Sequence, residues 1–168
     1  MGANTNQRVA RKDVTKTLDA IRRLVRTLRT SATDAERMTG LSSAQTFVLQ
    51  LLQQAPAESM NDLAERTLTD QSSVSVVVSR LEAKGLVARS HSTTDGRRTR
   101  VSITDAGAGL LADQPPTVQA RLIRSLESMP AEALAQLEHH LTQLTALMGE
   151  AHQPPTMLFE EDDASSTT

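Results

Sequence analysis

The chain has 168 residues, no cysteine and a formal net charge of −2. This length suits one domain or two small intimate ones. The missing cysteine excludes disulfides, thiolate metal sites and thiol redox sensing. Phe47 and Phe159 are the only aromatic residues, so the core must be built from Leu, Val and Ala, a composition that suits helices and apolar surface shared between subunits. The mean charge hides a division. Arg8, Arg11, Lys12, Lys16, Arg22, Arg23, Arg26 and Arg29 crowd the N-terminal region, and Arg80, Lys84, Arg89, Arg97, Arg98 and Arg100 crowd the centre. The acids gather at Glu160-Glu161-Asp162-Asp163. No apolar run approaches the roughly 20 residues of a membrane span, and the polar N-terminus does not read as a signal peptide. The expected location is the cytoplasm, with no membrane partner.

Residues 1–12 are expected to be flexible, with frayed residues to about Val9. From Asp13 to Arg37, Val14, Leu18, Ile21, Leu24, Val25 and Leu28 follow helical spacing and predict a long amphipathic helix with a basic far face, ended by Gly40. Ser42 or Ser43 caps a second helix with Phe47, Val48, Leu51 and Leu52 on its core stripe, stopped at Ala55-Pro56. Ser59 to Thr67 fits a short third helix, with Asp62 completing a shortened capping box. After the turn Leu68-Thr69-Asp70, either Asp70 or Ser72 caps a fourth helix running to Ala83. Val74, Val77, Val78 and Leu81 share its buried face; Ser73, Ser75, Val76, Ser79 and Arg80 look outward. Gly85 lets that helix end in a left-handed residue. Leu86–Ser90 and Thr99–Ile103 then form a hairpin around Thr94-Asp95-Gly96.

Thr104-Asp105 caps a helix beginning near Ala106, which Pro115-Pro116 interrupts or kinks because the pair lacks two amide donors. Val118 to Leu126 resumes helical spacing. Met129-Pro130 opens a last helix whose Leu134, Leu137, Leu141, Leu144 and Leu147 suit packing against another helix. Residues 150–168 read as a disordered acidic tail.

The third and fourth helices form a helix-turn-helix candidate, whose second helix would place its N-terminal residues near base edges in the major groove. Ser72, Ser73 and Ser75 are small enough to approach DNA and donate to phosphates or bases, and Gln71 can reach an adenine edge. The helix N-terminus favours phosphate. Alternatively, Ser72 and Ser73 merely cap a surface helix. In the hairpin, Arg97 or Arg98 can enter a narrow minor groove, and Asp95 can orient the Arg97 guanidinium; the bland alternative is a solvated turn.

RLEAKGLVAR at Arg80–Arg89 and DGRRTRVSITDAG at Asp95–Gly107 resemble the winged helix of MarR-family transcriptional regulators. Leu81, Glu82, Lys84, Gly85, Leu86, Arg89, Asp95, Arg97, Ile103, Thr104 and Gly107 occupy the family's pattern positions. Leu41-Ser42-x-x-Gln45 and Leu63-Ala64 resemble its earlier helices. The likeness spans roughly Asp13 to Leu147. It implies a mainly α fold with a small β-wing: a winged helix-turn-helix at 41–104, with N- and C-terminal dimerisation helices at 13–40 and 105–149. It further implies a homodimer reading a palindromic operator in double-stranded DNA, and a ligand-responsive repressor. The implied DNA-binding set is Gln71, Ser72, Ser73, Ser75, Val76, Ser79, Arg80, Asp95, Arg97 and Arg98. Val76 stands where many relatives carry a base-contacting Arg, so it offers a thymine-methyl contact in place of guanine reading.

The family also implies a small-molecule effector in a cleft between the helices containing Asp13–Arg37, Ser42–Gln54 and Ala106–Leu126. Its identity and binding residues are not legible; Arg22, Arg26 or Arg29 either pair with an anionic ligand or form a solvated face. His91, His139, His140 and His152 show no metal-ligand spacing. There is no nucleophile elbow, P-loop or dinucleotide fingerprint, so no enzyme, metal or cofactor is expected. The competing reading is a winged-helix protein-interaction module with only non-specific DNA affinity. The acidic tail is either a solubilising end or a competitor for the basic face.

Overall fold

The computed structural model describes residues 2–91, 99–112, 114–149 and 157–158, with side chains from residue 11 onward except that of His91. The described elements run α1 (Gly2–Thr39), α2 (Ser43–Gln54), α3 (Met60–Thr67), α4 (Gln71–Ala83), β1 (Val87–His91), β2 (Thr99–Ile103), α5 (Asp105–Leu110), α6 (Val118–Glu127) and α7 (Ala131–Leu147).

α2 lies at the centre, packed against α1, α4, β2, α5 and α6. Ser43 through Leu49 are all buried, so the expected one-sided stripe becomes a helix enclosed nearly all round. Leu49 is fully buried, whereas the stripe residue Leu51 is only half-buried. Around α2 gather Leu63 from α3, Val74, Val77, Val78 and Leu81 from α4, and Val101 from β2, all with no exposed surface. The buried face of α4 is the one its spacing predicts.

Local signals fix the element ends. Ser42 accepts from the Gln45 N–H at the start of α2, and Ser59 accepts from the Asp62 N–H at the start of α3. The Asp62 carboxylate reaches back to the Glu58 N–H at 2.9 Å, one residue before the position a capping box would use. Gly85 takes φ +71°, as a C′ glycine must. Leu68 also enters the left-handed region at φ 55°, which closes the turn between α3 and α4 without a glycine.

β1 and β2 pair antiparallel from Val87 with Ile103 to His91 with Thr99. Ala57 adds one further rung, exchanging two 2.9 Å backbone bonds with Val101. That rung lies in the stretch expected only to end α2.

Two expectations change, and one open alternative is decided. α1 begins at Gly2 and not near Asp13, because residues 2–12 contain no proline and include the helix formers Ala3, Arg8, Ala10, Arg11 and Lys12. At Pro115-Pro116 the expected interruption is what the structure has, with separate helices α5 and α6 and no kinked continuation. The tail is not wholly outside the fold: Met157 is 3 % exposed and belongs to the core cluster, which an apolar side chain eight residues beyond Gly149 can reach.

α5 packs closely on the hairpin. A Cβ on Gly107 would stand 2.3 Å from the Leu86 carbonyl oxygen and 2.8 Å from Ile103 Cγ1. Gly107→Ala should therefore destabilise the protein by about 1–3 kcal/mol, the usual range for overpacking. Urea denaturation of the two proteins checks this. An unchanged midpoint would mean that α5 can move away from Leu86 at little cost.

Candidate nucleic-acid interface

α3, the left-handed turn at Leu68 and α4 form a helix-turn-helix, and α4 presents an outward face containing Ser72, Val76 and Ser79. These residues lie four and three apart, which places them on one side of a helix. Gln71 is exposed beside them; Ser73, Ser75 and Arg80 are half-buried. Val76 is 44 % exposed. An apolar side chain held in water this way is available to another surface.

The serine hydroxyls are already engaged. Asp70 caps α4 by accepting from the Ser73 N–H at 3.0 Å, and both the Ser72 and Ser73 hydroxyls donate to its carboxylate. Ser75 donates to the Gln71 carbonyl and Ser79 to the Ser75 carbonyl, each at 2.8 Å. These serines face a ligand chiefly with oxygen lone pairs. The anion favoured by a helix N-terminus is likewise supplied from within the chain, by Asp70. Asp70 thus occupies the place where an external phosphate would meet the free amides of this terminus.

The base of the hairpin is tied to α4. On β1, Arg89 donates from Nη2 to Ser79 Oγ at 2.8 Å, and its Nε lies 3.3 Å from a Glu82 carboxylate oxygen. On β2, Arg100 pairs with Glu58 at 3.2 Å. Lys84 reaches back to Gln45 Oε1 at 3.2 Å and to the Gly40 carbonyl at 3.3 Å, joining the end of α4 to the start of α2. Sequence reasoning places Arg89 and Lys84 in a family pattern without seeing these tasks. A cation ten residues beyond a serine carries no signal until the hairpin folds back. Asp95, Arg97 and Arg98 lie outside the described residues.

Two recesses border the junction with the long helices. The larger, of about 490 Å³, is lined by α2 and α6 with Arg66 from α3. Arg66 closes the end of α2 by donating to the carbonyls of Leu51 and Ala55. The smaller, of about 220 Å³, lies among α1, α2 and α6 and is lined by Asp34, Thr46 and Arg121, among others. The buried Thr46 hydroxyl has no hydrogen-bond partner among the described residues. Neither recess is lined by Arg22, Arg26 or Arg29, which are exposed on α1; this favours the solvated-face reading. His139 and His140 are exposed, with ring centroids 5.7 Å apart. Among the described residues, no three His, Asp or Glu side chains gather as metal ligands, and no helix is long and apolar enough to cross a membrane.

Hydrogen bonds from the Ser72 hydroxyl, then from the Ser73 hydroxyl and amide, hold the Asp70 carboxyl well below the usual carboxylate range. A depressed folded-state value means that the cap stabilises the fold above the unfolded value, near pH 4, and loses that contribution as pH falls toward the folded value. Asp70→Ala should lower the melting temperature at pH 7, and the gap from the wild type should narrow in strong acid. Thermal melts at pH 7 and at about pH 2.5, below the unfolded value, test this. A gap that does not change with pH would show that the carboxylate charge plays no part in the cap.

A model of the MarR family matches residues 39–98, which span the end of α1 through the hairpin tip. The transcriptional repressor MdtR of Bacillus subtilis is 32 % identical over 105 residues, covering 62 % of this chain and 68 % of that protein. The homoprotocatechuate degradative operon repressor of Escherichia coli is 30 % identical over 108 residues, or 64 % of this chain and 72 % of that protein. Among solved structures, apo MarR from E. coli superposes with a TM-score of 0.51 at 20 % identity, covering 75 % of this chain and 94 % of that one. A MepR-like protein complexed with pseudoligands gives 0.54 at 20 % identity, with 81 % and 96 % covered. The structural likenesses establish the winged-helix fold, and the sequence matches establish the lineage. Proteins of this lineage regulate transcription and are not enzymes; the chain belongs to the MarR family of DNA-binding transcriptional regulators.

Proposed function

We propose that the chain works as a homodimer that represses transcription from a palindromic operator and releases it on binding a small molecule. One observation carries the dimer: two helices at opposite ends of the described chain leave apolar stripes uncovered. On α1, Leu18, Ile21, Leu24 and Val25 are 37–49 % exposed, and on α7, Leu141, Leu144 and Leu147 are 51 %, 39 % and 86 % exposed. α7 buries no residue at all. Apolar surface repeated along two helices is what a second copy covers.

In this reading residues 41–104 form the DNA-reading lobe, α5 moves with it, and α1, α6 and α7 bring two lobes together. α4 enters the major groove with Gln71, Ser72, Ser73, Ser75, Val76, Ser79 and Arg80 on or beside its reading face. Arg97 enters the minor groove, with Asp95 holding it and Arg98 beside it on phosphate. Repression agrees with the names of the repressors this chain is similar to. The two recesses beside α2 and α6 support an effector, and the unpartnered Thr46 hydroxyl gives the smaller one a polar contact to offer.

Arg97→Ala should weaken operator affinity by at least about tenfold at matched salt, or about 1.4 kcal/mol. Wild-type affinity should fall steeply with salt, because cation–phosphate contacts release counterions. Fluorescence anisotropy with the protein's own upstream duplex measures both. Unchanged affinity in the variant removes the wing assignment, and diffuse binding without a preferred duplex returns the protein to the interaction-module reading. Leu24→Glu with Leu141→Glu should convert a dimer to monomers in sedimentation equilibrium. A double variant that still sediments as a dimer would place the contact elsewhere.

A further inference from the structure

The chain between α5 and α6 turns an elbow through Pro115 and Pro116. Neither proline has an N–H to donate, so the elbow cannot hold its shape through its own backbone ladder. A side chain from α2 holds it from outside. Gln50 donates from Nε2 to the Pro115 carbonyl at 2.9 Å and accepts at Oε1 from the Thr117 N–H at 3.1 Å. The two bonds bracket Pro116, so one planar amide fixes the groups on both sides of it. Thr117 in turn caps α6, its hydroxyl accepting from the Ala120 N–H at 3.3 Å. Gln50 therefore places the residue from which α6 starts.

The two sides of the elbow lead to different parts of the fold, although the start of α6 also packs against α2. α5 is locked to the reading lobe. The Thr104 N–H donates to the Leu86 carbonyl at 3.0 Å, the Thr104 hydroxyl donates to the Gly85 carbonyl at 2.8 Å, and Gly107 leaves no room for a Cβ against Leu86. α6 leads into α7 and its uncovered apolar stripe. A small change at the joint is magnified. A rotation of roughly 10° moves a point about 20 Å away, the length of a helix of some thirteen residues, by about 3.5 Å, the rise of one base pair.

We propose that Gln50 is a positioning residue for DNA recognition: by clamping the Pro115–Thr117 elbow it sets the distance between the two reading lobes, and so the operator half-site spacing that the dimer accepts. The proposal rests on the homodimer reading above. It assigns Gln50 no contact with DNA.

The test uses the full chain and the palindrome that the wild type selects from a random duplex pool. Derivatives of that duplex keep both half-sites and change their separation by one or two base pairs. The wild type should prefer its selected spacing by at least about tenfold, the discrimination that ~1.4 kcal/mol gives. Gln50→Leu, close in volume but without the amide, should still sediment as a dimer and should bind the different spacings within about threefold of one another. Gln50→Glu, which still accepts from the Thr117 N–H, should fall between the two. A Gln50→Leu dimer with wild-type discrimination overturns the proposal and leaves the homodimer reading intact. A Gln50→Glu protein as flat as Gln50→Leu supports the clamp and places it chiefly in the bond donated to Pro115, since glutamate keeps the shape and the acceptor but not the donor; one as discriminating as the wild type overturns the two-bond clamp. If Gln50→Leu fails to melt cooperatively, Gln50→Ala decides by the same criterion. A wild type that is monomeric, or that has no spacing preference, overturns both readings together.

Discussion

The enclosure of α2 is the constraint on which the rest of this molecule depends. A helix buried from Ser43 through Leu49 must satisfy contacts on several sides at once. The long helix α1 lies against it, α4 and β2 close it on the helix-turn-helix side, and α6 returns to it after the elbow. Core substitutions on α2 therefore cannot be confined to one interface. Truncating a fully buried leucine such as Leu49 or Leu52 would leave a cavity shared by several elements, in a class of change that costs about 2–5 kcal/mol. The polar groups that α2 carries inward are part of the same arrangement. Gln45 receives Lys84 from the end of α4, and Gln50 receives the elbow, so this helix organises both ends of the reading lobe.

Much of this was legible because it rests on local chemistry. The α4 face made by Val74, Val77, Val78 and Leu81 follows from helical spacing, and the caps at Ser59 and Thr104 follow from side chains that accept an amide three residues on. Gly85 announces its left-handed turn. The candidate DNA face on α4 was legible for the same reason, since the residues left after the valines are assigned inward must point out. What stayed hidden depends on contacts between distant parts of the chain. The Ala57 rung on Val101, the Arg89 link to Ser79 and Glu82, the Gln50 clamp and the seat of Met157 all join residues whose partners no window of sequence contains. The start of α1 at Gly2 is hidden for a different reason: residues 2–12 are polar, which suggests fraying, yet several of them are good helix formers.

Helix α4 also shows what residue type alone leaves open. Serines at a helix start suggest free hydroxyls for a phosphate, yet here they are spent on Asp70 and on backbone carbonyls. An internal carboxylate therefore already sits at the positive end of this helix. The outward face of α4 presents hydroxyl lone pairs and one exposed valine.

The bonds from Arg89 to Ser79 and Glu82 have a mechanical consequence. Each is modest, because the ion pair is partly exposed to solvent, but they act together with the buried Leu86 and Val87 at the foot of the hairpin. The hairpin and α4 consequently have few independent degrees of freedom at their junction. A disturbance that moves one of them carries the other with it as a single rigid displacement.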